Sequence, residues 1–335
     1  MSVVLREVTQ DEADIRLDRW FRRHYPALNQ GAIQKLCRTG QVRVDGHRAE
    51  AATRLAAGQS VRVPPLPAPL PDRKPAAPVA PQDSKLRTEL ERMVLYRDEQ
   101  IIVLNKPSVL ATQGGPGIVR HLDNMLAAFA SGEGDRPRLV HRLDRDTSGV
   151  IVVARSRGVA AKLAAGFRTR AVEKLYWAVV VGRPVPVEGR IDAPLTRRDP
   201  ATAGARGERI AVAEADDDDA THAITDYRTL DHAARKLAWL ELRPLTGRTH
   251  QLRVHCAALG APILGDATYG EWRETGNSAL IEGMSEQLHL HARRLTLPHP
   301  AGFMLSVEAP LPPHMAETFR SLGFTAPPVH PPQRG

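Results

Sequence analysis

The chain has 335 residues, 42% of them hydrophobic, and its 46 lysines and arginines outnumber 38 aspartates and glutamates to give a formal charge of +8. Such a chain buries an ordinary core in two domains, or in one large domain with an appendage, which excludes a disordered protein. Two cysteines are too few for a disulfide framework or a four-cysteine zinc site. The basic excess favours a polyanionic partner without identifying it.

The N-terminal stretch is acidic, with Glu7, Asp11, Glu12 and Asp14, and it lacks the apolar core of a signal peptide. No window of the chain approaches 18 uninterrupted apolar residues, which excludes a membrane-spanning helix on length. We therefore expect a soluble, cytoplasmic protein with no membrane partner.

The first predicted domain, residues 1–63, combines helices with a small sheet. Apolar residues at helical spacings across residues 15–36, interrupted at Pro26, predict two short helices. Residues 41–46 alternate polar with apolar and end on Asp-Gly, which predicts a hairpin, and residues 60–63 predict a further strand.

Basic residues are concentrated in this domain. From Arg16 to Arg48 there are eight lysines or arginines against two aspartates, a net charge of +6. A solvated helix face is the alternative explanation, but a basic patch on a compact domain favours contacts with an RNA backbone. The candidate RNA contacts here are Arg19, Arg22, Lys35, Arg38 and Arg43.

Three segments of this domain are distinctive in combination. They are residues 16–20 (Arg-Leu-Asp-Arg-Trp), 30–36 (Gln-Gly-Ala-Ile-Gln-Lys-Leu) and 40–46 (Gly-Gln-Val-Arg-Val-Asp-Gly). Together they resemble the S4 RNA-binding module. That resemblance implies a helical pair and a small sheet whose basic face binds folded RNA.

Residues 64–85 are the predicted linker, because their dense prolines remove backbone donors and fix φ. A larger domain, residues 86–325, and a loose Pro-rich tail, residues 326–335, follow. Strands are predicted at 93–96, 101–104, 139–140, 150–154, 175–181 and 237–242, and helices at 157–167 and 250–259. This mixture predicts an α+β fold with a mostly antiparallel central sheet. Residues 197–207 and 216–219 lack periodicity and are interpreted as exposed loops.

The most distinctive segment of the larger domain is the polar loop at residues 140–149, Val-His-Arg-Leu-Asp-Arg-Asp-Thr-Ser-Gly, between two apolar strands. Loops on rigid scaffolds often hold catalytic groups. The residues alone leave two roles open, a tight turn capped by Asp144 or Asp146 and a glycosidase-like pair of carboxylates. A kinase catalytic loop also begins with His-Arg, but no phosphate-binding glycine loop accompanies it here.

A second polar segment covers residues 245–255, Leu-Thr-Gly-Arg-Thr-His-Gln-Leu-Arg-Val-His. Thr249 is expected to cap a helix, which places Arg248 and Arg253 near its first turns. Arginines so placed suit a carboxylate or another anion. The nearby histidines lack the spacing of a zinc site, so packing and RNA contact are the favoured roles.

A third segment, residues 173–182, is a predicted strand in which Tyr176 shares a face with Lys174 and Ala178. Taken alone, this tyrosine is best interpreted as a packing residue. Its position acquires meaning only in combination with the other two segments.

In this order the three segments resemble the RluA-type family of pseudouridine synthases, over about residues 90–310. Position by position, the resemblance implies that Asp144 is the catalytic aspartate, Tyr176 the active-site tyrosine and Arg253 the arginine that pairs with Asp144. Arg142 then fills the stack that a uridine leaves when it is flipped out of folded RNA. Arg248 is a further candidate RNA contact.

The reaction that this family resemblance implies cleaves the N1–C1′ bond, rotates the detached uracil and rejoins it through C5, with no cofactor and no metal. Asp144 is expected to act ionised, and its role as nucleophile or as proton-abstracting base stays open. The order of a small first domain, a linker and a larger domain resembles the RluC and RluD types, the RluC type being favoured. This implies a large-subunit ribosomal RNA substrate and a monomeric enzyme without an obligate protein partner. The alternative is a catalytically inactive synthase that binds RNA in ribosome assembly.

Overall fold

The computed structural model describes residues 3–25, 28, 30–65, 81–115, 117–130, 136–169, 171–198, 209–214, 217, 219–234, 236–270 and 283–335. The chain divides into two compact units, Met1–Pro78 and Val79–Gly335. Most of the predicted linker, residues 66–80, lies outside the described residues. A helix begins at Pro81, inside the last residues of the predicted linker. Proline is tolerated in the first helical turn, where its missing N–H has no partner to lose.

Among its described residues, the small unit has four strands and two α-helices. In chain order they are β1 (Val4–Glu7), α1 (Leu17–His24), α2 (Gln30–Arg38), β2 (Arg43–Val44), β3 (His47–Arg48) and β4 (Ser60–Val63). The strands form one antiparallel sheet in the order β1-β4-β2-β3. The predicted hairpin is confirmed, since β2 and β3 turn on Asp45 and Gly46 at φ of +50° and +81°.

The core of the small unit depends on the apolar faces of its two helices. Leu17, Trp20 and Phe21 of α1 and Ile33 and Cys37 of α2 lie in one buried cluster with residues of the sheet. Their spacings of three and four residues bring them onto one face of each helix. The periodicity that predicted two helices therefore also identified their buried sides.

The large unit is built around one sheet, with helices packed against it. Its elements are α3 (Pro81–Met93), β5 (Val94–Arg97), β6 (Ile101–Lys106), α4 (Leu122–Met125), β7 (Arg138–Leu139), β8 (Ser148–Ala154), α5 (Arg157–Arg168), β9 (Glu173–Val181), β10 (Glu188–Asp192), β11 (Leu195–Arg198), β12 (Arg209–Val212), β13 (Ile224–Ala233), β14 (Leu237–Pro244), α6 (Gln251–Ala258), β15 (Leu290–Pro298), β16 (Met304–Glu308), α7 (Pro313–Leu322) and β17 (Gln333–Arg334). In the described part of the chain, no helix is long and apolar enough to cross a membrane.

The large sheet runs in the order β10-β13-β14-β9-β15-β8-β6-β5, with β7, β16 and β17 added at its margins. Every pair is antiparallel except β15 with β8, which confirms the predicted α+β fold with a mostly antiparallel sheet. Central strands are buried on both faces. Ile151 packs in a cluster with Leu90 of α3, and its neighbour Val152 packs in another with Leu163 of α5. This explains why these strands are continuous apolar runs.

The entry of the chain into β8 requires a glycine. Gly149 has φ of +109°, and a Cβ atom there would lie 2.2 Å from the carbonyl oxygen of Ala292 on β15. One residue earlier, the Ser148 hydroxyl lies 2.9 Å from Nδ1 of His291. The polar loop at residues 140–147 is thus connected to the sheet at a tightly packed junction, which limits the positions that the loop can adopt.

The C-terminal tail is attached rather than loose, contrary to the sequence prediction. Strand β17 pairs with β16, and the backbone of Gly335 exchanges two hydrogen bonds with Met304. Arg334 stacks over the rings of Tyr96 and Phe303. The tail therefore binds to the edge strand β16 and to the rings of Tyr96 and Phe303. The composition of the tail does not reveal these partners.

The two predicted loops are partly ordered structure. Arg197 and Arg198 belong to β11, which pairs with β12, while residues 199–208 lie outside the described part. In the acidic run, Asp217 is mostly buried and accepts a hydrogen bond from Arg198 at 3.2 Å. The prediction of a loop was therefore wrong for Arg197 and Arg198, because a short strand pair of this kind has little periodicity to detect, and the prediction of an exposed residue was wrong for Asp217.

Candidate active site

A cavity of about 810 Å³ opens in the large unit between the loop before β8, strand β9 and the start of α6. The predicted site residues of this unit all line it: Asp144, Tyr176, Arg253, Arg142 and Arg248. The fold thus brings together three segments that lie far apart in sequence. The predicted RNA contacts of the small unit are exposed on that unit instead: Arg19, Arg22, Lys35, Arg38 and Arg43.

A buried lysine supports the loop that carries Asp144. Lys106, at the end of β6, is completely buried. Its Nζ donates to three carbonyl oxygens, those of Pro107 at 3.0 Å, Leu110 at 2.7 Å and Arg145 at 3.0 Å. Burial lowers the pKa of Lys106 to about 7, and the charges of Asp146 and Asp144 oppose that shift. No role for Lys106 was predicted from the sequence, in which a proline follows it.

Two hydroxyl groups complete this support. The Ser108 hydroxyl donates to the carbonyl oxygen of Asp146 at 2.7 Å. The Thr112 hydroxyl donates to the carbonyl oxygen of Leu143 at 2.6 Å and accepts the N–H of the same residue at 3.2 Å. The backbone on both sides of Asp144 is therefore held by side chains, which positions its carboxylate in the cavity.

The histidine of the polar loop is a structural residue in the neutral form. His141 accepts the backbone N–H of Val152 at Nε2, 2.9 Å away, and its ring stacks on Phe167 with 4.5 Å between centroids. Burial lowers the pKa of His141 to about 3, and the charge of Lys174 lowers it further. His141 therefore ties the loop to β8 and does not exchange protons near neutral pH.

Tyr176 projects from β9 into the cavity. Burial raises the pKa of its phenol, and the negative charge of Asp144 raises it further. The hydroxyl therefore stays protonated at neutral pH and presents a neutral aromatic ring and an O–H group to a ligand. Asp144 and Tyr176 line the same cavity.

Arg253 pairs with a different carboxylate from the one predicted. Its Nε and Nη2 each donate to Asp266 at 2.7 Å, and no hydrogen bond or ion pair joins it to Asp144 within the described residues. Asp266 also accepts the N–H groups of Thr268 and Tyr269. The loop after α6 thus supplies a fixed, buried acceptor with the two-bond geometry that arginine prefers. Burial would lower the pKa of Arg253, but the hydrogen bonds to Asp266 raise it, and the charge of Asp144 raises it further.

Two residues that were not predicted from the sequence, Tyr269 and Asp266, support Arg253. The ring of Tyr269 lies 5.0 Å from the Arg253 guanidinium, and its hydroxyl is 2.9 Å from Nδ1 of His250. His250, not Thr249, precedes the first turn of α6, at φ of +53°. Tyr269 and Asp266 follow the helix in a segment without periodicity or motif, so only the folded chain shows that they support Arg253.

The cavity is rich in positive charge. Arg142, Arg168 and Arg248 lie exposed along its margin, and none of them forms an ion pair with a carboxylate in the described ranges. Arg243 is held by Glu241 at 2.9 Å. A cavity with these groups attracts a polyanion by long-range electrostatics.

Comparison with known proteins identifies the family. Residues 100–258 match the family model described as RNA pseudouridylate synthase. A mitochondrial RNA pseudouridine synthase 4 from Arabidopsis thaliana is 36% identical over 91% of this chain and 78% of the relative. The chain belongs to the RNA pseudouridylate synthase family. It is therefore an RNA pseudouridine synthase, an enzyme of the isomerase class, and the predicted RluA-type identity is confirmed.

Other relatives of this pseudouridine synthase agree. Ribosomal large subunit pseudouridine synthase C from Vibrio cholerae is 33% identical over 94% of this chain and 96% of its own length. The protein of that name from Rickettsia bellii is 34% identical over 89% and 94%. The solved structure of human RNA pseudouridylate synthase domain containing 4 superposes with a TM-score of 0.61 at 30% identity, covering 74% of this chain and 99% of that one. These matches span the cavity and its supporting elements.

Proposed function

We propose that this synthase isomerises uridine to pseudouridine in large-subunit ribosomal RNA, with Asp144 as the reacting carboxylate. The observation that carries the proposal is the placement of Asp144 on an immobilised loop, in one cavity with Tyr176 and Arg253. The relatives named ribosomal large subunit pseudouridine synthase C support the substrate class. The catalytically inactive assembly factor is disfavoured because the candidate residues are all present and converge on one cavity.

Each residue has a defined task in this proposal. A uridine inside folded RNA must leave its stack before its glycosidic bond can be reached, and the exposed Arg142 offsets the lost stacking. Tyr176 supports the flipped uracil as a neutral ring, and Asp144 acts ionised at the nucleoside. Arg253, fixed by Asp266, contributes a positive charge to the same cavity. The proposed reaction uses no cofactor and no metal.

Carbodiimide mapping of ribosomal RNA tests the substrate. RNA from a strain that lacks the gene is compared with RNA from the parent strain, since carbodiimide labels pseudouridine and the modification leaves the mass of the RNA unchanged. We expect at least one labelled position in the large-subunit RNA to be lost and to return on complementation. If no position changes, the proposed substrate is wrong. Release of free uracil would instead indicate a glycosidase-like hydrolase.

We further propose that residues 1–63 form an S4-type RNA-binding domain, ahead of a linker and a catalytic domain at residues 86–325. Four cations support this because they are exposed and form no ion pair with any described carboxylate: Arg19, Arg22, Lys35 and Arg38. Arg43 is exposed too, and its Nη1 donates to the carbonyl oxygen of Gly46. Unpaired cations on a compact domain are available to RNA phosphates. Monomeric state and cytoplasmic location stay predictions of the sequence.

Replacing Arg19, Arg22, Lys35 and Arg38 by glutamine is expected to weaken RNA binding and flatten its salt dependence. Each lost phosphate contact reduces the slope of log Kd against log salt by about 0.7 to 0.9. The slope is measured by titrating labelled large-subunit RNA fragments at several salt concentrations. Arg23→Gln is the matched control, since Arg23 is already neutralised by Asp11 and should change the slope little. An unchanged slope in the fourfold variant would refute the proposed RNA-binding role of residues 1–63.

A further inference from the structure

The active-site cavity contains a lysine without a counter-ion. Lys174 of β9 lines the cavity and is largely shielded from solvent. Its Nζ donates one hydrogen bond, to the carbonyl oxygen of Thr246 at 3.0 Å, and forms no ion pair with a carboxylate in the part of the chain that the structure describes. Burial lowers the pKa of Lys174 to about 8. Lysines removed from solvent are usually paired, because an unpaired buried charge is costly.

The surroundings of Lys174 make a purely structural role a poor explanation. An ammonium group has three N–H donors, and the described contacts use one of them. Gly247 lies beside this ammonium group, since a Cβ atom at that glycine would be in van der Waals contact with Nζ at 3.8 Å. A single hydrogen bond to a carbonyl oxygen could be made by an uncharged side chain. No carboxylate among the described residues balances this positive charge, which leaves it available to an anionic ligand.

The position of Lys174 relative to the reacting groups indicates which partner fits. Lys174 and Tyr176 lie on the same face of β9, two residues apart, which is about 6.6 Å along a strand. Asp144 lines the same cavity as these two residues. The separation between Lys174 and Tyr176 is comparable to the distance between the glycosidic carbon of a nucleotide and a phosphate beside it.

We infer that Lys174 binds a backbone phosphate that flanks the target uridine, and so holds the flipped nucleotide in register with Asp144. This inference rests on the proposed function. A phosphate is the anionic group present in every nucleotide of the substrate, and a lysine ammonium binds phosphate as a point charge. A bound phosphate also supplies a counter-charge to Lys174, so the cavity is better suited to the RNA-bound state than to the free state.

The test uses a short RNA that contains a uridine mapped by carbodiimide, and measures kcat/KM of the full-length enzyme in single-turnover assays. Lys174→Met is expected to lower kcat/KM by about 10- to 100-fold, as loss of a charged contact does. Lys174→Arg keeps the charge and is expected to restore most of the activity. The thermal midpoint of Lys174→Met should be unchanged or higher, because the variant removes a partly buried charge that has no counter-ion among the described residues. A strictly structural lysine would instead lower it.

RNAs with one neutral methylphosphonate identify the contacted phosphate. Two are made, with the substitution on the 5′ or the 3′ side of the target uridine. On one of these RNAs, the kcat/KM of the wild type should fall about as much as that of Lys174→Met falls on natural RNA. Testing Lys174→Met on that same RNA should lower kcat/KM little further. Fully additive losses on both RNAs, or a Met variant as active as wild type, would overturn the role of Lys174. A wild-type enzyme that converts no mapped RNA would instead contradict the proposed function.

Discussion

Asp144→Asn is expected to abolish uridine isomerisation while leaving RNA binding intact. The exchange keeps the size of the side chain but removes the charge that reacts, so turnover should fall by at least about 10³-fold. RNA affinity should be unchanged or slightly higher, because a negative charge is removed from a cavity that binds a polyanion. Turnover is measured by carbodiimide mapping of RNA incubated with the purified variant, and affinity by filter binding of the same RNA.

Asp146→Asn is the matched control for this variant. Asp146 lies two residues further along the same loop, and its recorded hydrogen bond to Ser108 uses its backbone oxygen, which the exchange retains. We expect this variant to keep most of the activity. Equal losses in the two variants would favour the pair of carboxylates that the loop sequence also allows. Undiminished turnover in Asp144→Asn would remove Asp144 from the chemistry altogether.

Asp266→Asn is expected to destabilise the large unit by about 3 to 5 kcal/mol, because it leaves a buried arginine without its counter-charge. The side chains of Arg253 and Asp266 are only 8% and 0% exposed. Burial by itself would raise the pKa of Asp266, but the hydrogen bonds from Arg253 outweigh it and hold that pKa below its usual range. The free energy of unfolding is measured by urea denaturation of wild type and variant.

Asp226→Asn provides a control that differs chiefly in burial. Asp226 also accepts two hydrogen bonds from one arginine, Arg190, but these side chains are 35% and 57% exposed. Loss of this ion pair should lower the free energy of unfolding by less than about 1 kcal/mol, as for exposed ion pairs in general. The difference in the free energy of unfolding between wild type and Asp266→Asn should also become smaller in acid. A carboxyl with a lowered pKa stabilises the fold above its ordinary value of 3.8, and that contribution is lost as the pH falls below it. Equal costs for the two pairs would contradict this account.

Much of the fold was predictable because it follows from local patterns. Helices α1 and α2 were predicted from apolar spacing, and the Asp45-Gly46 turn from its residue types. The central strands β6 and β8 were predicted from short apolar runs, since both of their faces are buried. Strand β10 was missed because all of its residues are exposed or only partly buried, so its composition resembles that of a loop. The pairing of β17 was missed because it depends on a distant edge of the sheet.

The sequence by itself determined the family and the residues on which the chemistry is proposed to depend, because Asp144, Tyr176 and Arg253 lie in contiguous segments of characteristic composition. Only the tertiary structure decided what surrounds them. It paired Arg253 with Asp266, connected a neutral His141 to β8 and gave Lys174 no counter-ion among the residues that the structure describes. Hydrogen bonds, burial and counter-ions are contributed by residues distant in sequence, so they exist only once the sheet has brought β8, β9 and α6 to the same cavity.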